Sequence, residues 1–328
     1  MPALPATIVF DFFTASIPHP MKNYLVDRRQ FLVNLSGLAA WPGFRDLTFY
    51  QSDDLRKNFD EIRANLLQLI NEERDVAKLG RLEIEELATK VATRHAEDMA
   101  SGEFASHWGR DGLKPYQRYS FAGGYHATQE NVSAADSTWS SKFEDLKQDT
   151  AYLHVRLYQE TPPNDGHRKA ILGAQHTHVG FGLALDKLRL RMVELFVSRH
   201  IKLEPVAQSA KPGAEFYLAG HLLNSSYLLN AIEVFYESLP TPPELSWLRQ
   251  RRSYGLPDES KLLKPILPPG YLYPDKVPGV IEVESSGKFR APVRLFENTP
   301  GIYTIVCWLK RNRDEKAFPA TELCIRAE

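Results

Sequence analysis

The chain changes its hydrophobic pattern near its middle, and this change constrains the fold more than any other feature. Before residue 200, apolar residues recur at helical spacing in two segments and then form a strand hairpin at residues 178–197. A polar stretch with two prolines follows, from Pro205 to Gly213. Beyond it come short apolar or alternating runs at residues 216–223, 232–236, 280–283, 289–296, 303–309 and 321–326. The sequence therefore predicts an α+β domain at residues 50–203 followed by an all-β, immunoglobulin-like sandwich at residues 212–328.

Composition and charge limit the classes of partner. Of the 328 residues, 43% are hydrophobic and 25% are charged, and the net charge is −1. A face that binds nucleic acid usually carries a surplus of Lys and Arg, so this balance argues against a nucleic acid partner. No run reaches the roughly 18 apolar residues that a membrane-spanning helix needs, so no transmembrane span is expected.

The N-terminal region resembles an export signal. Arg28 and Arg29 precede a mildly apolar stretch that ends at Trp41, an arrangement typical of twin-arginine signals, with Met21 as the start that fits it best. We therefore expect residues 1–45 to be a leader and the protein to be periplasmic or extracellular. The alternative is a surface arginine pair followed by a short helix.

Four residues offer the most distinctive chemistry in the chain: His107, Glu130, Glu160 and His167. Two imidazoles and two carboxylates are ligand types that zinc or another divalent cation takes. Each residue also has a structural alternative, since a histidine can cap a helix and a glutamate can accept from backbone amides. His95 lies on the apolar face of a predicted helix and is expected to be a core histidine.

No other catalytic motif competes with this set. The sequence has no Gly-rich phosphate loop, no Cys pair at metal spacing and no nucleophile elbow. Ser106 lies next to His107, but adjacent side chains of an extended segment point to opposite sides. Ser106 is therefore a weak nucleophile candidate.

Several boxes then occur in the order typical of one family. They are Ile70-Asn71-Glu72-Glu73-Arg74, His95-Ala96-Glu97-Asp98-Met99-Ala100, His107-x-x-x-Asp111-Gly112, Gln129-Glu130-Asn131-Val132, Gly166-His167-Arg168-Lys169-Ala170-Ile171-Leu172 and His178-Val179-Gly180-Phe181-Gly182. Residues 60–200 thus resemble the CAP superfamily (SCP/PR-1-like) in its bacterial form. The sandwich region is not covered by the resemblance.

The resemblance implies an α-β-α sandwich with a cleft that can bind zinc or another divalent ion. Carried over, His107 and His167 are the imidazole ligands, and Glu130 comes from the G-E-N-type box. Glu160 matches the second family glutamate, which lies three residues after a Trp that Leu157 replaces here. Gln129 replaces the glycine of its box, so the local turn is expected to differ.

The family has no generally accepted catalytic activity, so three functions stay open. The first is an exported, non-catalytic binding protein whose cleft holds a metal and recognises a cell-wall, lipid or peptide ligand. The second is a metal-assisted hydrolase acting on peptides, with Glu130 and Glu160 as the catalytic candidates. The third is an adaptor in which the sandwich carries the interaction.

The two cysteines of the chain lie in strand-like runs near the C-terminus. A symmetric hairpin with its midpoint between Glu315 and Lys316 would place Cys307 opposite Cys324, close enough for a disulfide. A longer or bulged loop would shift the register and separate them. The alternative is two buried thiols that act as small apolar residues.

Overall fold

A computed structural model describes residues 53–136, 138, 142–312 and 314–328. The expected leader at residues 1–45, with Arg28 and Arg29, lies outside them. The helices are α1 Asp53–Val76, α2 Glu86–Gly102, α3 Pro115–Phe121, α4 Phe143–Tyr158, α5 Gly166–Ile171 and α6 Leu245–Leu248. None of these helices is long and apolar enough to cross a membrane.

The strands fall into three sheets. The first is a four-stranded sheet in the order β1-β3-β4-β2, formed by β1 Glu83–Ile84, β2 Ala127–Ala135, β3 His178–Asp186 and β4 Arg189–Ser198. The second and third contain β5 Ile201–Leu203, β6 Ser209–Ala210, β7 Glu215–Leu222, β8 Leu228–Glu237, β9 Ser260–Leu263, β10 Glu282–Val283, β11 Lys288–Arg294, β12 Gly301–Lys310, β13 Phe318–Pro319 and β14 Leu323–Ala327.

Helices cover both faces of the first sheet, as the family resemblance implies. Apolar residues of α1, α4 and α5 pack on one face, against a set that includes Phe181 and Met192. Those of α2 pack on the other face, against Val193 and Leu195. Side chains of a strand alternate between faces, so β4, which is buried along nearly its whole length, supplies apolar residues to both cores.

The α2 helix lies unusually close to β3, because the strand presents glycines where the helix crosses it. A Cβ atom added to Gly180 would overlap the backbone of Ala88, and one added to Gly182 would overlap the backbone of Ala92. The Gly180-Phe181-Gly182 sequence thus gives one smooth face for the helix and one large side chain for the opposite core.

The second region is a sandwich of two β-sheets. One sheet has the order β10-β11-β7-β5, and the other has β6-β14-β12-β8-β9 with β13 paired to β12. Their inner faces share one core, which includes Leu218, Ile232, Val293 and Ile305. The predicted β-sheets are present, with the short helix α6 between β8 and β9, and the immunoglobulin-like type is not confirmed.

Two short strands near the predicted domain boundary pair with strands of the sandwich. The β5 strand pairs with β7, although residues 201–203 fall within the range expected for the first domain. The β6 strand pairs in parallel with β14, at Ser209 opposite Arg326. The division of the chain near Pro205–Gly213 stays a prediction.

The disulfide hypothesis for the two cysteines is wrong: Cys307 and Cys324 are both free and buried. Thr304, not Cys307, lies opposite Cys324 in the β12–β14 pair. Since Cys307 is three residues further along β12 than Thr304, its side chain points to the other face. Cys307 lies in the core between the two sheets, while Cys324 packs with Tyr116 of the first domain. Burial raises the pKa of each thiol to about 12.

Candidate functional site

One half of the predicted set is a buried pair of His107 and Glu130. His107 lies in the loop between α2 and α3, and Glu130 lies in β2. Nδ1 of His107 is 2.9 Å from Oε1 of Glu130, and the side chains are 0% and 1% exposed. A carboxylate only accepts hydrogen bonds, so Nδ1 carries the proton and the lone pair of the neutral ring lies on Nε2.

Arg118 of α3 fixes this pair from a third direction. Its guanidinium donates to Oε2 of Glu130 at 2.7 Å and to the carbonyl oxygen of His107 at 2.6 Å. Burial disfavours a charged Glu130, but the Arg118 charge and the His107 hydrogen bond outweigh it, so the pKa of Glu130 is lowered. Both oxygens of an ionised Glu130 are therefore engaged in holding neighbouring groups.

Burial also lowers the pKa of His107 itself, against the opposing effect of Glu130. The ring is therefore held in its neutral form, which is the form that binds a metal ion.

The second half repeats the arrangement with His167 and Glu160. Glu160 follows α4, and His167 lies in the first turn of α5. Oε1 of Glu160 is 2.5 Å from Nδ1 of His167, and Oε2 accepts from the His167 backbone N–H at 3.0 Å. One carboxylate thus caps the helix and orients the ring. The sequence alternative had a histidine as the capping residue, whereas in the structure Glu160 accepts from the start of the helix.

The two halves meet at the β2 edge of the first sheet. Strand β2 lies at the edge of the sheet, and its adjacent residues Glu130 and Asn131 point to opposite faces of the sheet. Glu130 contacts His107, while the Asn131 amide donates to the carbonyl oxygen of His167 at 3.3 Å. The imidazoles are near enough for His167 to lower the pKa of His107. The sharing of one ion by all four residues stays a prediction.

A second histidine–glutamate network lies behind Asn131. His154 of α4 contacts Glu194 through Nδ1 at 2.6 Å and Glu73 through Nε2 at 3.0 Å. Glu194 also accepts from the Asn131 amide at 3.0 Å. Burial opposes protonation of His154, yet the two carboxylates raise its pKa to about 10. With both ring nitrogens bound to carboxylates, His154 acts as a buried cation that supports Asn131.

The sandwich region reaches the site through Tyr254. Its ring packs edge-on against His107 with the centroids 4.7 Å apart, and its hydroxyl accepts from the Glu130 backbone N–H at 2.9 Å. The start of β2 also joins the sandwich, where Glu322 accepts from the backbone N–H and hydroxyl of Thr128. Burial raises the pKa of Glu322 to about 8.

The two imidazoles, rather than all four side chains, are the donors that would suit a metal ion. Within the part of the chain that the structure describes, no group of three or more His, Cys, Asp or Glu side chains is arranged to hold a metal ion. Each glutamate instead contacts Nδ1 of a histidine, and a carboxylate is a usual outer partner of a metal-binding imidazole. Nε2 is then the atom of each ring that would bind, and a ligand or water would complete the coordination.

The two minor candidates from the sequence have structural roles. His95 is a core histidine as predicted, with Nε2 2.8 Å from the carbonyl oxygen of Ser106. Ser106 is buried, and its hydroxyl accepts from the Trp108 backbone N–H at 3.1 Å.

Sequence reasoning did not find Arg118, His154 or Tyr254. Arg118 had a weak signal, since it is the only charged residue among the apolar and aromatic residues of Pro115–Phe121. Tyr254 had none, because it contacts a strand 124 positions earlier in the chain.

One family model and several solved structures match part of this chain. The model of the cysteine-rich secretory protein family, CAP, matches residues 67–196. No curated protein matches the chain. An outer surface protein from Borrelia burgdorferi is 20% identical, with 42% of this chain and 93% of that chain covered and a TM-score of 0.34.

Two further solved structures match part of the chain. An extracellular protein containing a SCP domain from Bacillus anthracis str. Ames is 21% identical over 46% of this chain, with a TM-score of 0.35. The match covers 45% of that protein, so this chain spans less than half of its length. The CAP domain of Enterococcal PrgA is 17% identical over 46% of this chain and 71% of its own, with a TM-score of 0.33.

Proposed function

With residues 67–196 assigned to the CAP family, we propose that the chain is an exported binding protein whose His107 and His167 together hold one divalent transition-metal ion. Zinc is the first candidate, because it takes imidazole ligands without a strong geometric demand. The observation that supports this most is the repeated geometry, in which a buried carboxylate holds Nδ1 of each ring.

Binding rather than hydrolysis is the better-supported role of the site. A hydrolytic water needs a nearby carboxylate that can accept its proton. Both oxygens of Glu130 contact His107 and Arg118, and both oxygens of Glu160 contact His167. These glutamates position the imidazoles, so the remaining coordination positions would take an anionic oxygen of an extracellular ligand.

Export is the second part of the proposal. It rests on Arg28 and Arg29 ahead of the mildly apolar stretch, and on the resemblance to a largely secreted family. Fractionation of producing cells tests it: the double substitution of both arginines by Lys should keep the protein in the cytoplasm.

We expect the wild-type chain to bind one Zn²⁺ or Co²⁺ per molecule, measured by calorimetry and by the visible absorption of Co²⁺. His107→Gln and His167→Gln should each lower the affinity at least about 100-fold, since each removes one of two protein ligands. Glu160→Gln weakens the orientation of one ring and should cost about 10–100-fold.

His200→Gln is the matched control, because it removes a buried histidine whose Nε2 contacts the carbonyl oxygen of Gln175 instead of a site residue. Loss of binding in His200→Gln comparable to that in His107→Gln would contradict the proposed site. Metal-dependent cleavage of peptides by the wild type, abolished by Glu130→Gln in a folded protein, would favour the hydrolase instead.

A further inference from the structure

A segment of the sandwich region is built onto the wall of the candidate site. We name residues 239–258, which connect β8 to β9, the arm. Leu248 of the arm is fully buried in the core of the first domain, among residues of α2 and β4. Trp247 packs edge-on against Trp108, the neighbour of His107, at a centroid distance of 5.2 Å. The arm is therefore a fixed part of this wall.

The contact of the arm with the site itself is made by Tyr254. This side chain touches both members of the first histidine–glutamate pair, through its ring on His107 and its hydroxyl on the Glu130 backbone. An imidazole can rotate about its Cβ–Cγ bond, and one hydrogen bond at Nδ1 leaves the tilt of the ring free. The edge-on tyrosine restricts that tilt, because aromatic pairs of this geometry are packed at van der Waals contact.

The end of β8 supports the same pair by an indirect route. Glu237 accepts from Lys114 Nζ at 2.8 Å, from the Tyr116 hydroxyl at 2.9 Å and from Gln117 Nε2 at 2.9 Å. These three residues form the start of α3, the helix that carries Arg118. Glu237 thereby fixes the helix from which Arg118 reaches Glu130 and the carbonyl oxygen of His107.

We infer that the sandwich region supplies positioning residues for the His107 half of the site: Tyr254 acts directly on the ring, and Glu237 acts through α3. The CAP match at residues 67–196 contains neither residue, so the site of this chain is completed by sequence outside that match. The inference extends the proposed function and rests on it, because a positioning role presupposes that His107 is a binding residue. Its test, however, requires no metal.

The experiment compares side-chain ¹⁵N spectra of histidines in the full chain at one fixed pH, with His107→Gln and His167→Gln used for assignment. Tyr254→Phe keeps the ring and removes the hydroxyl that holds Glu130, while Tyr254→Leu removes both contacts. We expect the His107 ring resonances to shift in Tyr254→Phe and to shift further or broaden in Tyr254→Leu. The His167 resonances should change less in both variants.

Tyr303→Phe is the matched control, since it makes the same change at a buried tyrosine of the sandwich core. His107 resonances that move no more in Tyr254→Phe than in Tyr303→Phe would overturn the inference. Glu237→Gln provides a second variant, and it should shift the His107 resonances without touching the ring. An unchanged His107 spectrum in this variant would remove Glu237 from the proposal.

A Co²⁺ titration then separates this inference from the proposed function. Tyr254→Phe should weaken Co²⁺ binding about 10-fold, the lower range for the loss of an outer partner of a ligand. A His107 shift in a chain that binds no Co²⁺ supports the positioning role and contradicts the metal proposal. Tight Co²⁺ binding that Tyr254→Leu leaves unchanged supports the metal proposal and contradicts the positioning role.

Discussion

Arg74→Met should destabilise the protein by about 3–5 kcal/mol, measured by urea unfolding. The guanidinium is fully buried and donates to four carbonyl oxygens, those of Gly80, Ile171, Gly173 and His176, at 2.8–3.3 Å. Burial lowers its pKa to about 10, so it stays charged at neutral pH. Methionine fills similar space but leaves these carbonyl oxygens without that donor, and buried acceptors without partners are costly.

Arg81→Met is the control for this prediction, because Arg81 is exposed and forms only a surface ion pair with Asp75. It should cost less than about 1 kcal/mol. Arg74→Lys should recover only part of the loss, since a single ammonium cannot reproduce the planar fork of donors. Equal costs for Arg74→Met and Arg81→Met would show that the buried network contributes little.

The regular elements of the fold were predictable where the hydrophobic period was strong. The helices α1 and α2, the β3–β4 hairpin and six of the sandwich strands lie at the expected places. Strand β2 was not predicted, because Glu130 and Asn131 have low strand propensity. It forms a strand because its polar side chains find buried partners that no local pattern reveals.

The residues of the candidate site were likewise predictable only where the signal lies in the local sequence. The order of the sequence boxes identified His107, Glu130, Glu160 and His167, and the structure brings them together as two histidine–glutamate pairs. Two of the supporting residues, Tyr254 and Glu237, come from segments more than 100 positions away. Such contacts depend on how the arm crosses the first domain, which hydrophobic periodicity does not encode.

Acidification below pH 6.5 should unfold the protein, because three histidines, two of them buried and one half-buried, are neutral in the folded state. Burial lowers the pKa of His95 to about 4 and those of His126 and His176 to about 3. For His126 the charge of Arg199 and the nearby His178 and His200 add to this effect, and for His176 Arg74 and His200 do so. Unfolding restores an ordinary pKa near 6.5 to each ring.

The sign and size of this dependence follow from proton counting. Between pH 4.5 and 6.5 the unfolded state binds three more protons at these histidines and one fewer at Glu322, whose folded pKa is about 8. Stability should therefore fall with decreasing pH by about 2.7 kcal/mol per unit for the net two protons. Over two units this loss is about 5 kcal/mol, comparable with the whole stability of many domains. Above pH 6.5 stability should also decline, because His154 keeps its proton up to about pH 10 in the folded state only.

Urea unfolding at a series of pH values, with proton uptake measured by titration, checks the prediction. His126→Phe and His176→Gln should each reduce the uptake by one proton and flatten the acid side of the stability curve. Ile232→Val, a conservative change in the sandwich core, should lower stability by about 0.5–1.5 kcal/mol at every pH without altering the slope. An uptake that neither histidine variant reduces would show that other groups cause the acid unfolding.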